Sequence, residues 1–345
     1  MSRSNINLFA GKMLMFKSVA GIILFFLLIA LSANADEEKW DAFRFNLYFE
    51  NDIFAATDHQ YTSGIEFDLI YHVEDPSSRI YDILFLNYGK IDTYVSFSLA
   101  NQIFTPRDIN ETELIVNDRP YAGWTFFEAG IHKSSKDHLR SMYLQVGMVG
   151  PAAKGEEIQN SIHKLTDSDP AMGWDNQLGD ELGVNLRYIH KWRFVPPEIG
   201  SVESAFIPYL EGDLGNISIQ ATAGVAMRFG WNIPKDYGVS TVDTGGENGI
   251  PIYDEFAAMR KQRWSFSFNF SGAMSWVVRD IFLDGNTFKE SHSVEKEPFV
   301  AYLGLGFSAR YRNFMLEFIQ IRNTRKFKLE ENVHSVGTVV ASWLF

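Results

Sequence analysis

The sequence predicts an all-β protein: a transmembrane antiparallel β-barrel of about twelve strands, with one short helix in an extracellular-side loop and an N-terminal signal peptide. Three observations predict it. About twelve segments alternate with period two, separated by Gly-, Asn-, Asp- and Pro-rich breaks. One face of many of these segments is large and apolar, while the other carries Arg, Asn, Glu, Asp, Ser and Gln, the lipid-out, polar-in pattern of an outer-membrane barrel. The chain ends with Val339, Ala341, Trp343 and Phe345 in alternation, the form of terminal strand through which the barrel assembly machinery takes up its clients. A soluble sandwich is the competing fold. Lipid cannot satisfy an open sheet edge, so a membrane sheet must close.

Taken in order, residues 1–35 read as a secretory signal. Arg3, Lys12 and Lys17 give a basic start, Ala20–Leu31 is an apolar run, and Ala33-Asn34-Ala35 has the form of a cleavage site. Residues 36–345 are expected to form a single barrel domain, with no internal repeat or linker. Its first strand is centred on Phe43–Phe49 and its second on Ile65–Leu69. Tyr94–Gln102, Gly123–Lys133 and Leu139–Val149 follow. Beyond the inserted helix come Leu182–Phe194, Ser204–Leu214 and Ile217–Phe229. Trp264–Phe270 is the clearest alternation, and Phe299–Tyr311, Asn313–Arg322 and Ser335–Phe345 complete the set. The long stretch 232–262 falls on the periplasmic side, where turns are usually short. Either the count is off by one there or the stretch is a periplasmic excursion.

The series of strands is interrupted by Gly150–Glu181. Its first half predicts a helix: Ile158, Ile162 and Leu165 make a narrow apolar stripe, and Glu156 and Glu157 occupy the first turn, where the helix dipole favours negative charge. Pro170 and Gly173 bound it. Gln159 and His163 are four apart and so are neighbours, on another part of the helix surface. A surface helix with a solvated His is the plain alternative.

Composition narrows the chemistry. The chain has no cysteine, so any metal must be held by O or N ligands and no thiolate can act as nucleophile. The net charge of −12 argues against nucleic acid as a partner. Polar clusters gather at strand ends that the up-and-down count puts on one side. They are Glu50-Asn51-Asp52 with Thr57–Thr62; Gln102–Pro106; Asp118–Trp124; and the helix with Trp174, Asp175, Gln177 and Glu181. Asn and Asp oxygens suit a hard cation such as calcium, or alternatively cap a turn. Arg119 suits a phosphate, or alternatively pairs with Asp118 or another loop acid. There is no GxSxG, and Ser161 lies about 200° around the helix from His163, so a serine triad is not expected. Water activated by His, with a metal polarising a carbonyl, is the hydrolytic arrangement these residues allow.

These clusters form an ordered set of motifs. They run Glu50-Asn51-Asp52, Thr57-Asp58-x-x-Tyr61-Thr62-x-Gly64, Gln102-x-Phe104-Thr105-Pro106, Asp118-Arg119-Pro120-Tyr121-Ala122-Gly123, Gly150-Pro151, Gln159-x-x-x-His163 and Gly173-Trp174-Asp175-x-Gln177, with Ile281–Phe288 further on. The set resembles the lipid A 3′-O-deacylase family of outer-membrane proteins (LpxR-like). The resemblance implies a twelve-stranded barrel with a site near the outer leaflet, between the barrel wall and a loop helix. It implies calcium-dependent hydrolysis of the 3′-linked acyloxyacyl chain of lipid A in lipopolysaccharide. Carried onto this chain, His163 is the general base and Gln159 its neighbour. Asn51 and Asp52 stand around the metal and the oxyanion, and Asp169 or Glu181 is the acid serving the metal. Arg119 and Thr62 are expected to contact substrate. The rival expectations are a non-enzymatic barrel (a pore or an adhesin) and an outer-membrane phospholipase with a Ser–His dyad.

Overall fold

The computed structural model describes residues 39–51, 61–76, 78–84, 90–166, 169–238, 249–253, 256, 261–330 and 335–345. The expected signal peptide lies outside them, as do Asp52 and the side chain of Thr62. The described residues form a closed barrel of twelve strands, each antiparallel to its sequence neighbours. The strands are β1 (Lys39–Asn51), β2 (Tyr61–Glu74), β3 (Asp92–Phe104), β4 (Ala122–Ser134), β5 (His138–Val149), β6 (Glu181–Trp192), β7 (Glu203–Gly215), β8 (Ser218–Trp231), β9 (Trp264–Asp280), β10 (Phe299–Tyr311), β11 (Phe314–Asn323) and β12 (Ser335–Leu344). Closure comes from β1 pairing with β12, in a register running from Arg44 opposite Leu344 to Asn51 opposite Gly337. Among the described residues no helix is long and apolar enough to cross a membrane. The protein spans it with strands.

The period-two pattern sorts each strand into two faces. Arg44, Asn46, Tyr48 and Glu50 of β1 point inward and are buried, as do Glu66 and Asp68 of β2, Glu128 of β4 and Arg187 of β6. Most of these groups are hydrogen-bonded to other inward side chains. Asn46 Nδ2 donates to Asp68 at 2.8 Å, Gln145 Nε2 to Glu128 at 2.7 Å, and Arg187 Nε to Asp213 at 2.9 Å. The outward face carries exposed Phe67, Leu99, Leu186, Phe268, Leu303 and Trp343. At the ends of β9–β12, Trp264, Tyr311, Phe314 and Trp343 stand level across four strands, an interfacial aromatic girdle.

The strand count holds, so the long stretch after Trp231 is an excursion at the end where β1 starts and β12 finishes. It turns back into the barrel. Tyr237, Ile250, Ile252 and Phe256 pack against Phe43, Tyr94, Leu139 and Leu344 on the inner wall. Asp236 sits between Arg228 (2.6 Å) and Arg44 (3.4 Å), both of which also face Glu317. Lys191 donates to the Tyr237 carbonyl at 3.0 Å, and the Tyr237 hydroxyl to Ser135 O at 2.7 Å. This segment fills the periplasmic mouth, and Phe104, Trp124, Phe126, Phe282 and Ile319 cluster toward the outer one. Between the two lies an interior cavity of about 180 Å³. An interior filled at both ends does not favour the pore expectation.

Candidate functional site

Six connections open at the outer end, and the helix enters there, between β5 and β6. Helix α1 (Gly155–Thr166) covers the range expected, with Glu156 and Glu157 in its first turn. It lies on the outside of the barrel wall. Asn101 and Thr125, outward-facing residues of β3 and β4, both donate to the Ala153 carbonyl just before it, at 3.3 and 2.7 Å. Ile158 packs with Ile103, Tyr121, Ala171 and Trp174.

Its buried face differs from the expected one. Gly155 and Gln159 are buried and His163, four further on, is half-buried on the same side; Ile158 and Ile162 flank that row. The Gln–His pair therefore lies on the wall-facing side rather than on another part of the surface. Gly155 explains why. A Cβ there would lie 3.0 Å from the Gly123 Cα and 2.7 Å from the Trp174 ring, so only a Gly–Gly contact lets the helix approach this closely. Trp174 Nε1 donates to Gln159 Oε1 at 2.8 Å, while Gln159 Nε2 is buried with no hydrogen-bond partner.

His163 Nδ1 donates to the Asp169 carbonyl at 2.5 Å. A carbonyl only accepts, so Nδ1 carries a proton; in the neutral ring that leaves Nε2 as the basic nitrogen, the tautomer a general base requires. Ser161 is turned away, its hydroxyl bonded back to Glu157 O at 2.6 Å, which leaves the Ser–His dyad without support on this helix. Beneath the helix, burial pushes the Tyr121 hydroxyl up to about 12, so it remains a neutral donor.

Asn51 reaches the same level of the wall. It pairs with Ser63 of β2, Ser63 with Ile103 of β3, and Ile103 with Gly123 of β4. All four face outward, in a row crossing about 14 Å of wall. Asn51 is buried at one end, and α1 rests on the other. Asn51 and the first turn of α1, which leads to Gln159 and His163, thus lie at one level on the lipid-facing side of one rim.

Two expected site residues lie elsewhere. Arg119 lines the interior cavity, with its guanidinium 4.9 Å above the Phe104 ring and its charge bearing on Asp280 and Glu330. The Asp118 carboxylate accepts from the backbone N–H groups of Arg107 and Arg119. Glu181 belongs to the inward face of β6, and its carboxylate accepts from Asn216 Nδ2, Asn286 Nδ2 and Thr287 N at 2.8–3.0 Å. It fastens the loop after helix α2 (Ile281–Asp284), where Asn286 also exchanges two hydrogen bonds with Gly179. Of the two acids considered for the metal, Asp169 is the one beside His163. Among the described residues no three His, Asp or Glu side chains gather as a metal group. Tyr121 and Trp174 belong to the motifs the sequence offers, but without a role; Gly155 is the supporting residue it does not single out. A Gly opening the helix was the available signal.

A closed twelve-stranded barrel with a helix laid against its lipid-facing wall defines a bacterial outer-membrane barrel protein. The chain belongs to the LpxR family: the family described as outer membrane protein LpxR matches residues 22–345. Among solved structures it is similar to LpxR from Salmonella typhimurium, at 16% identity and a TM-score of 0.71, over 88% of this chain and 100% of that one. The β-domain of the Bordetella autotransporter BrkA matches at 7% identity and a TM-score of 0.41, over 90% of this chain and 99% of that one. The NalP translocator domain from Neisseria meningitidis matches at 7% identity and 0.40, over 95% and 97%. No curated protein matches the chain.

Proposed function

We propose that this protein is a lipid A deacylase that hydrolyses the ester of the 3′-linked acyloxyacyl chain in lipopolysaccharide. The observation carrying the reading is the placement of a polar Gln–His helix face against the membrane-facing wall, level with Asn51. The substrate groove would lie between this helix face and the wall, where an amphipathic ester can bind without its acyl chains leaving the bilayer. His163 Nε2 takes the proton from an attacking water and returns it to the leaving alkoxide. The Asp169 carbonyl holds the imidazole in the required tautomer. Gln159 Nε2, buried and without a hydrogen-bond partner, donates to the oxygen that gains charge. Thr62 contacts the substrate from the start of β2. Arg119 serves from inside the barrel mouth rather than by touching a phosphate in the groove.

Asn51, Asp52 and Asp169 would hold calcium. Their neutral and anionic oxygens are the ligand types that ion takes, whereas Glu181 is already saturated by three donors. When bound, calcium supplies positive charge at the ester carbonyl oxygen. Removal by EGTA is therefore expected to abolish acyl release from lipid A, read by mass spectrometry of the extracted lipid, and added calcium to restore it. Full activity in excess EGTA would remove the metal from the proposal. The barrel assembly machinery is the expected partner during biogenesis; Trp343 of the last strand and Phe345 just after it are both exposed.

The Gly155–Gly123 contact provides a second test. Gly155→Val would push α1 off the wall while leaving the strand ladders intact. Misplacing His163 by about 1 Å is expected to lower acyl release by about 10²-fold, with heat-modifiable migration of the barrel on gels unchanged. Wild-type activity in this variant would show that the helix need not sit where it does.

A further inference from the structure

On β4, β5 and β6 the periplasmic end of the outward face departs from the aromatic girdle found on β9–β12. Lys133, Arg140 and His190 are register partners across these three strands. They share the outward face, because their neighbours His132, Ser141 and Lys191 point inward. The row spans about 10 Å. Directly above it, two residues toward the membrane centre, Ile131, Met142 and Tyr188 form an apolar row in the same register. Just below, the His190 ring stacks on Trp192 at 4.0 Å, and its Nε2 lies 3.4 Å from His138 Nδ1.

The charges in this row are poorly matched among the described residues. Arg140 makes no hydrogen bond or ion pair among the described residues, and its Nε is buried without a partner. Lys133 has one carboxylate within reach, Asp82 at 3.9 Å, which is 76% exposed and so only weakly held. Cations at a barrel's lipid-facing interface, with apolar side chains above them and a Trp beside them, match a lipid with a phosphate head and acyl tails.

We propose that Lys133, Arg140 and His190 form a binding site for the headgroup of an anionic glycerophospholipid of the periplasmic leaflet, on the opposite rim from the catalytic groove. The phosphate accepts from the guanidinium, the ammonium and the imidazole, and the acyl chains run up over Ile131, Met142 and Tyr188. The site does not depend on the hydrolytic reading, since it shares no residue with it.

The test is native mass spectrometry of the detergent-solubilised protein titrated with dioleoylphosphatidylglycerol or dioleoylphosphatidylcholine. Wild type is expected to retain phosphatidylglycerol in preference. Lys133→Gln and Arg140→Gln are each expected to weaken that retention about fivefold. Arg140→Lys should keep most of it, and Arg263→Gln, in a distant periplasmic turn, should change nothing. Inorganic phosphate at millimolar concentration is expected not to displace the lipid. Equal retention of the two lipids by wild type, unchanged retention in both Gln variants, or complete displacement by phosphate would each overturn the proposal. If a Gln variant fails to show heat-modifiable migration, the comparison of the two lipids on wild type decides alone.

Discussion

Replacing His163 with Ala is expected to cut acyl release from lipid A by about 10²–10⁴-fold, the span a positioned general base contributes. The barrel should be unaffected, because His163 lies on a helix outside the wall and takes no part in the strand ladders. The hydrogen bond to the Asp169 carbonyl orients the ring as a base needs. A His⁺ would also donate from Nδ1, but a half-buried, rim-placed neutral imidazole with its lone pair on Nε2 can accept a proton from water. The measurement is mass spectrometry of lipid A from a host lacking the activity, expressing either protein. Gln159→Leu serves as a companion: it removes the buried donor and leaves Trp174 Nε1 unpaired, so it should lower activity without restoring any role to Ser161. Deacylation by His163→Ala at the wild-type rate would sink the assignment.

Much of this architecture was legible in the chain because strand alternation and helix spacing are local signals. Arg44–Phe49 and Trp264–Phe270 announce their two faces within seven residues, whereas Phe43 turns inward at an irregularity between Ala42 and Arg44. The first extends to Asn51 and the second to Asp280, where Ser271-Gly272-Ala273 breaks the apolar pattern without breaking the ladder. The helix range was equally plain. The face it buries was not, since that depends on Gly123, thirty-two residues before Gly155, letting the backbones meet. Glu181 looked available because its three donors come from Asn216, Asn286 and Thr287, far along the chain. Arg119 looked like a rim cation because a motif records order and spacing, while the side of the wall a residue faces depends on the loop that carries it. The stretch after Trp231 was the hardest to read. Its Gly and Pro content spoke of a loop, but its apolar residues at 233, 237, 250, 252 and 256 had partners only inside a closed cylinder.

That inward-folded segment leads to the largest expected stability effect. Asp236→Ala is expected to destabilise the barrel by about 3–5 kcal/mol, the cost of leaving buried cations without their counter-charge. Burial alone would raise the Asp236 pKa, but Arg228 and Arg44 outweigh it and hold the carboxyl below its ordinary value, so the carboxylate is ionised between them. Both guanidiniums are almost fully buried, and the remaining acid in the cluster, Glu317, cannot balance two charges. Asp236 Oδ1 also accepts from the Gly238 N–H at 2.9 Å, so the substitution frees the segment as well as the arginines. The readout is the urea midpoint of unfolding in detergent. Asp82→Ala is the control, an exposed acid expected to stay within about 0.5 kcal/mol of wild type. Adding Arg228→Met to Asp236→Ala should recover part of the loss, because removing both charges also removes the uncompensated one. A shift no larger than that of Asp82→Ala would mean that the periplasmic mouth is held by its apolar contacts alone, with Tyr237, Ile250 and Phe256 carrying what the ion cluster does not.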